Sequence, residues 1–170
     1  MPKSSTAEET KKDETQEVSV KELAADNIVK NTVLWTTGAG LVPIPVVDLV
    51  AVTILQLNML RRICKIYEAK FSKNIGKNLI GSLLGGLAPS TLSAPAASLI
   101  KLIPLVGQTV GTVTMPIFSG ASTYGVGRVF IKHFESGGTL LTFNPKKAKV
   151  EFEKEFKEGE KVVSSMKKEA

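Results

Sequence analysis

Catalytic equipment is what this sequence has least of. Its 170 residues include one cysteine, Cys64, and one histidine, His133. A lone thiol excludes an intramolecular disulfide, and a lone imidazole excludes a histidine-based metal cluster. No G-x-x-x-x-G-K-[S/T] run offers a phosphate loop, and GAGLV at Gly38 lacks the rest of a dinucleotide fingerprint. Ser119, in FSGAS, departs from the G-x-S-x-G of a nucleophile elbow. Cys64 beside Arg61 and Arg62 reads as a buried, inert thiol, and His133 as a solvated or helix-end side chain. The amino end, MPKSSTAEETKKDE, has no apolar core of a secretory signal. These absences point to a noncatalytic chain without a cofactor or a metal.

Charge is missing too, but only in places. From Asn31 to Leu60 the one ionised residue is Asp48, and between Asn78 and Gly127 only Lys101 and Tyr124 can ionise. Residues 1–27 carry seven acids and four lysines, with almost no large apolar side chain before Val18. Such a segment buries too little surface to offset its ordering entropy, so residues 1–17 read as a disordered tail. Arg61, Arg62, Lys65, Lys70, Lys73 and Lys77 fall within 17 residues against a single acid, Glu68. A nucleic-acid surface or the flank of a membrane helix carries such a cluster. The neighbouring apolar runs favour an anionic leaflet, and nucleic acid is not expected as a partner.

What is present is helical. Ser19 with Glu22 three residues on has the spacing of a capping box, and Val20, Leu23, Ile28 and Leu34 supply an apolar face. Gly38 and Gly40 loosen that helix and VPIP ends it, because a residue before proline is pushed out of the α region. A second helix is expected from Pro45, suited to a first helical position, to about Lys70. Asp48 then falls in its first turn, where the helix dipole favours an anion by about 0.3–1 kcal/mol. Gln56 joins Asp48 and Thr53 in a broad polar stripe on a helix that is otherwise apolar nearly all round. Gly81 and Gly85, then Gly107 and Gly111, Gly120, Gly125 and Gly127, provide small surfaces for close helix contact. Asn144 caps a last, charge-laced helix in which Val150, Phe152 and Phe156 make the apolar contacts and Gly159 marks a weak point. Trp35 suits an interfacial anchor or a core position.

The fold expected is all-α: a disordered tail over residues 1–17, two apolar helical hairpins over 18–140, and a C-terminal amphipathic helix over 141–170. Asn78–Ile100 has 23 residues and Leu102–Gly127 has 26. Either is long enough for a hydrocarbon core that takes about 20. Mean hydropathy is only +0.11, however, and both runs are rich in Gly, Pro, Ser and Thr. Asn31–Val47 has 17 residues and Leu49–Leu60 has 12, short for complete crossings, so a hairpin there that dips into the bilayer is expected. Arg61, Arg62, Lys65, Lys70, Lys73, Lys77, Arg128 and Lys132 flank the apolar runs, and by the positive-inside rule they set both termini in the cytoplasm.

The order PIPVVDLVAVTILQLNMLRRICKIYEAKF, then IPLVGQTVGTVTMPIFSGASTYGVGRVFIKHF, resembles the bacterial family called domain of unknown function 697. The matching positions are Pro43, Pro45, Asp48, Gln56, Pro104, Gly107, Tyr124, Gly125 and Gly127, and the resemblance spans roughly residues 25–140. It implies a helical module of the bacterial inner membrane, with a small GTPase as an implied partner, and it transfers no active site. The function expected is a membrane-associated anchor, scaffold or membrane-shaping subunit that contacts lipid and forms a homo-oligomer. The competing expectation is a soluble all-α module for an apolar ligand or a protein partner.

Overall fold

Five helices account for nearly all of the computed structural model, which describes residues 5–39, 45–85 and 115–169. They are α1 (Ser5–Ala39), α2 (Pro45–Ile66), α3 (Lys73–Gly85), α4 (Met115–Glu135) and α5 (Pro145–Glu169), with no strand among the described residues. The all-α expectation holds. Pro43, Pro104, Gly107 and Gly111 lie outside the described residues. The turn of the second expected hairpin lies outside them as well.

α1 corrects the sequence reading twice. Helix begins at Ser5, inside the expected tail, and passes through the proposed cap at Ser19. Ala, Glu, Lys and Gln are strong helix formers, and oppositely charged neighbours such as Glu17 and Lys21 (2.7 Å) add support without any core. The inward face matches the expected one only at Ile28. Val20, Leu23 and Leu34 are exposed, whereas Ala25, Ile28, Val29 and Val33 are buried, with Thr32 and Thr36 between them. The buried face consists mostly of small and β-branched residues because the helix it meets is lined with glycine.

α2 starts at Pro45 as expected but stops at Ile66 rather than near Lys70. The N–H of Ala69 bonds the Cys64 carbonyl at 2.8 Å and that of Glu68 the Lys65 carbonyl at 3.4 Å, with Glu68 left-handed at φ 55°. α4 ends in the same paired pattern. Gly138 bonds His133 at 3.0 Å and Gly137 bonds Phe134 at 2.9 Å, with the left-handed position at φ 79° now held by Gly137. At α5, Asn144 Oδ1 accepts the N–H groups of Lys146 (3.0 Å) and Lys147 (3.2 Å), so the cap falls where the sequence set it.

α4 is the central element and packs against each of the other four helices. Its Gly120 faces Thr37 of α1 and Val163 of α5, its Gly125 faces Phe152 of α5, and its Gly127 faces Val29 of α1. A methyl group at Gly125 would sit 2.8 Å from Phe152 Cε2, and one at Gly120 would sit 2.6 Å from Val163 Cγ2. Gly159 does not break α5. A methyl there would lie 2.9 Å from Ala121 Cα, so this glycine lets α5 close on α4. By contrast, a methyl at Gly81 or Gly85 meets nothing within 4 Å, and the close contact expected at α3 is absent among the described residues. Phe130 and Phe152 are wholly buried in the shared core, and burial of such a side chain stabilises by about 1.5–3 kcal/mol. Leu140 and Phe143 seal it from the α4–α5 turn, Phe143 stacking on Phe130 at 4.3 Å.

These facts revise the membrane expectation. No described helix is long and apolar enough to cross a membrane. The part of the Leu102–Gly127 run that is described lies within α4, where its uncharged residues are walled by protein on several sides. Burial at the centre of a bundle excludes charge as firmly as lipid does.

Val29 is β-branched and stiff at χ1, so it cannot step aside for a new methyl at Gly127. Gly127→Ala is expected to lower stability by about 1–2 kcal/mol, overpacking outweighing the helix-propensity gain. In a Val29→Ala background the same change should be neutral or stabilising. Thermal melts of the four proteins in this cycle check the contact, and additive effects would refute it.

Candidate functional site

Two polar layers cross the bundle. In the first, Gln56 of α2 is wholly buried and its Nε2 donates to Ser122 Oγ at 3.3 Å and Thr123 Oγ1 at 3.2 Å, both on α4. Those hydroxyls in turn donate to the Ser119 carbonyl at 3.0 and 2.8 Å. Gln56 Oε1 has no partner among the described residues. The layer is a structural seam, and it holds no titratable group.

The second layer is ionic. Arg128 of α4 reaches Asp26 (2.5 Å) and Glu22 (3.9 Å) on α1 and Glu155 (3.9 Å) on α5. Lys132, one turn further along, bonds Glu155 at 2.6 Å and also Glu151. Burial opposes the charge on Arg128 most strongly, but the hydrogen bond to Asp26 and the charges of Asp26 and Glu155 together outweigh it, and the guanidinium pKa is raised. The bonds to Glu151 and Glu155 likewise raise Lys132, and the bond to Lys132 lowers Glu151. Beside this layer the Tyr67 hydroxyl bonds Glu135 Oε1 at 3.2 Å. Burial, then the Glu135 charge, pushes the Tyr67 phenol well up, and burial, then the Glu22 charge, raises Glu135. Tyr124 is half-buried and raised chiefly by burial. Each proton here is held by an ion pair or by burial.

Arg128 and Lys132 are thus occupied by carboxylates of their own chain, although the sequence reading grouped them with the membrane-flanking cations. A signal for this was present: an i,i+4 pair of bases on one helix and an i,i+4 pair of acids, Glu151 and Glu155, on the next. Glu22 and Asp26 on α1 form a second i,i+4 pair of acids, and both reach Arg128. The other six cations behave differently. Arg61, Arg62, Lys65, Lys70, Lys73 and Lys77 are all exposed, and none has an ion pair among the described residues. Arg61, Arg62 and Lys65 border an open depression of about 720 Å³ that also touches Asn58, Cys64, Ala69 and Phe71. The Cys64 thiol itself is buried, and burial pushes its pKa up to about 11, which keeps it protonated and inert. His133 sits in the last turn of α4 with its Nε2 2.9 Å from the Thr139 carbonyl. Among the described residues no group of three or more His, Cys, Asp or Glu is placed to hold a metal.

Of the positions that carried the resemblance, Gln56, Tyr124, Gly125 and Gly127 meet around α4, Pro45 opens α2, and Asp48 lies in its first turn. The family described as Domain of unknown function (DUF697) matches residues 6–152. Among curated proteins the chain is 36% identical over 148 residues to Magnetosome membrane protein 22 of Magnetospirillum gryphiswaldense, covering 86% of this chain and 76% of that protein. No solved structure matches.

Gln56→Met keeps the volume and removes the unpartnered carbonyl oxygen, while the serine and threonine hydroxyls retain Ser119. An unsatisfied buried group costs about 1–3 kcal/mol, so this variant should melt no lower than the parent, and a clear loss of stability would refute the seam described. Arg128→Leu should lower stability at pH 7 by about 1–3 kcal/mol, below the full buried-pair penalty because the side chain is 20% exposed. Glu22 and Asp26 then face one another without their cation, while Glu155 keeps Lys132. Parallel denaturant titrations of the parent and the variant at pH 7 measure the deficit, and an unchanged midpoint would refute the bridging role.

Proposed function

The chain belongs to the family described as Domain of unknown function (DUF697), and on that premise we propose that it is a noncatalytic, membrane-associated helical scaffold. The observation that carries this reading is the division of its cations. Those of α4 are neutralised inside the bundle, whereas the six from Arg61 to Lys77 are left to the solvent. An unpaired basic surface attracts anionic lipid at about 1 kcal/mol per cation near the headgroups. The relative named as a magnetosome membrane protein supports the same reading across most of the chain. The buried ion layer braces three helices into one body that such a scaffold needs. In this reading the bundle is the rigid part and the basic surface its contact with lipid. The scaffold faces the cytoplasm, where anionic leaflets and positive flanks meet.

Fractionation of bacterial cells producing the tagged full chain tests the proposal. The protein should sediment with membranes and stay there in moderate salt. Recovery of the whole population in the soluble fraction would sink it.

A further inference from the structure

The helix directions define two ends of the bundle. α1 runs antiparallel to α4, since Thr37 lies against Gly120, Val29 against Gly127, and Asp26 pairs with Arg128. α2 runs parallel to α4, since Gln56 bonds Ser122 and Tyr67 bonds Glu135. The last turns of α1 and the first half of α2 therefore share the end at which α4 begins.

On the exposed sides of α1 and α2 the chemistry is ordered from that end. First come large apolar side chains: Leu34 is 53% exposed, Trp35 73% and Ile54 53%. Next stand two exposed amides, Asn31 and Asn58. Then follow exposed cations, Lys30 on α1 and Arg61, Arg62 and Lys65 on α2. Ile54, Asn58, Arg61 and Lys65 recur at three- and four-residue spacing, so they share one face of α2. At about 1.5 Å per residue, Arg61 stands roughly 10 Å beyond Ile54 and Lys30 about 7–8 Å behind Trp35. An interfacial protein that sinks 5–10 Å past the headgroups needs cations at that separation from its apolar contacts. Tryptophan, amphipathic and rigid, is enriched at that boundary.

We propose that this α1–α2 face docks on an anionic lipid leaflet, with Leu34, Trp35 and Ile54 entering the acyl boundary and Lys30, Arg61, Arg62 and Lys65 held at the lipid phosphates. The proposal rests on the membrane-associated reading above and adds the apolar contacts and the orientation. Complementarity selects lipid over a second copy of the chain, because a second copy would bring the same cations against these.

Trp35 is the only tryptophan, so intrinsic fluorescence reports this face alone. The full chain is mixed with phosphatidylcholine vesicles, with or without phosphatidylglycerol, and binding is followed by flotation and by emission. With phosphatidylglycerol present, Trp35 emission should shift to shorter wavelength and be quenched by acyl-brominated lipid. With phosphatidylcholine alone both effects should be weak. Arg61→Ala/Arg62→Ala should reduce partitioning about thirtyfold, the loss expected for two cations at an anionic surface. Ile54→Ser should reduce the blue shift, and unchanged far-ultraviolet circular dichroism keeps either loss from being unfolding. Flotation with an unmoved Trp35 emission and an undiminished arginine variant would overturn this face while leaving membrane association intact. A blue shift that follows protein concentration and ignores lipid would assign the face to a second copy and overturn the proposal. Failure to float on any vesicle, joined to a soluble protein in cells, would remove both readings.

Discussion

The close approach of α1 and α5 to opposite sides of α4 is the constraint on which the rest of this structure depends. Gly125 faces Phe152 on one side and Gly127 faces Val29 on the other, with Gly120 touching both neighbours through Thr37 and Val163. Each glycine lowers intrinsic helix stability by about 1 kcal/mol relative to alanine, so α4 is a poor helix alone. Packing reverses that balance, because backbones that approach closely gain dispersion contacts along their whole length. Gly159 repeats the device from α5, against Ala121 and Tyr124. An α4 built of larger residues would push its neighbours apart and dissolve both polar layers.

Close approach also explains how so many hydroxyls are buried. Thr32 donates to the Ile28 carbonyl at 2.8 Å, Thr36 to the Thr32 carbonyl at 3.0 Å, and Thr123 to the Ser119 carbonyl at 2.8 Å. A hydroxyl that bonds its own helix one turn back needs nothing from the neighbouring helix. Ser and Thr then serve as small packing groups, and Gln56 reaches across to Ser122 and Thr123. The ionic layer lies deeper along α4, where α1 and α5 bring acids from two sides to Arg128. Paired charges are tolerated there because Asp26 accepts from the guanidinium and Glu22 and Glu155 stand 3.9 Å away.

The helical class, the start at Pro45, the cap at Asn144 and the value of small residues in α4 were legible in the sequence, because each depends on local chemistry. The partner of an apolar run was not. Leu102–Gly127 lacks charge whether lipid or protein surrounds it, and hydropathy records only the exclusion of water. The inward face of α1 was misread for a related reason. Large apolar residues usually mark the core, but a glycine-lined partner selects Ala25, Val29 and Val33 and leaves Leu23, Leu34 and Trp35 outside. Pairing at a distance was equally hidden: Arg128 and Arg61 look alike in sequence, and only the fold brings Asp26 to one of them.

That last distinction governs the electrostatics of the molecule. Residues 61–77 hold six cations and one acid, a net +5 of the chain's +6, so the remainder is nearly neutral. The excess charge is therefore a directional field and not a diffuse one. Such a field turns a protein before contact, and it decays over about 8 Å at physiological salt. Turning matters only if the body turns as a unit. The glycine-lined packing and the Arg128 bridges join α1 and α5 to α4, and Gln56 ties α2 to the same helix, so a torque on the cations of α2 is transmitted to Trp35 on α1. Orientation by charge and contact by apolar side chains are in this way consequences of the same packed centre.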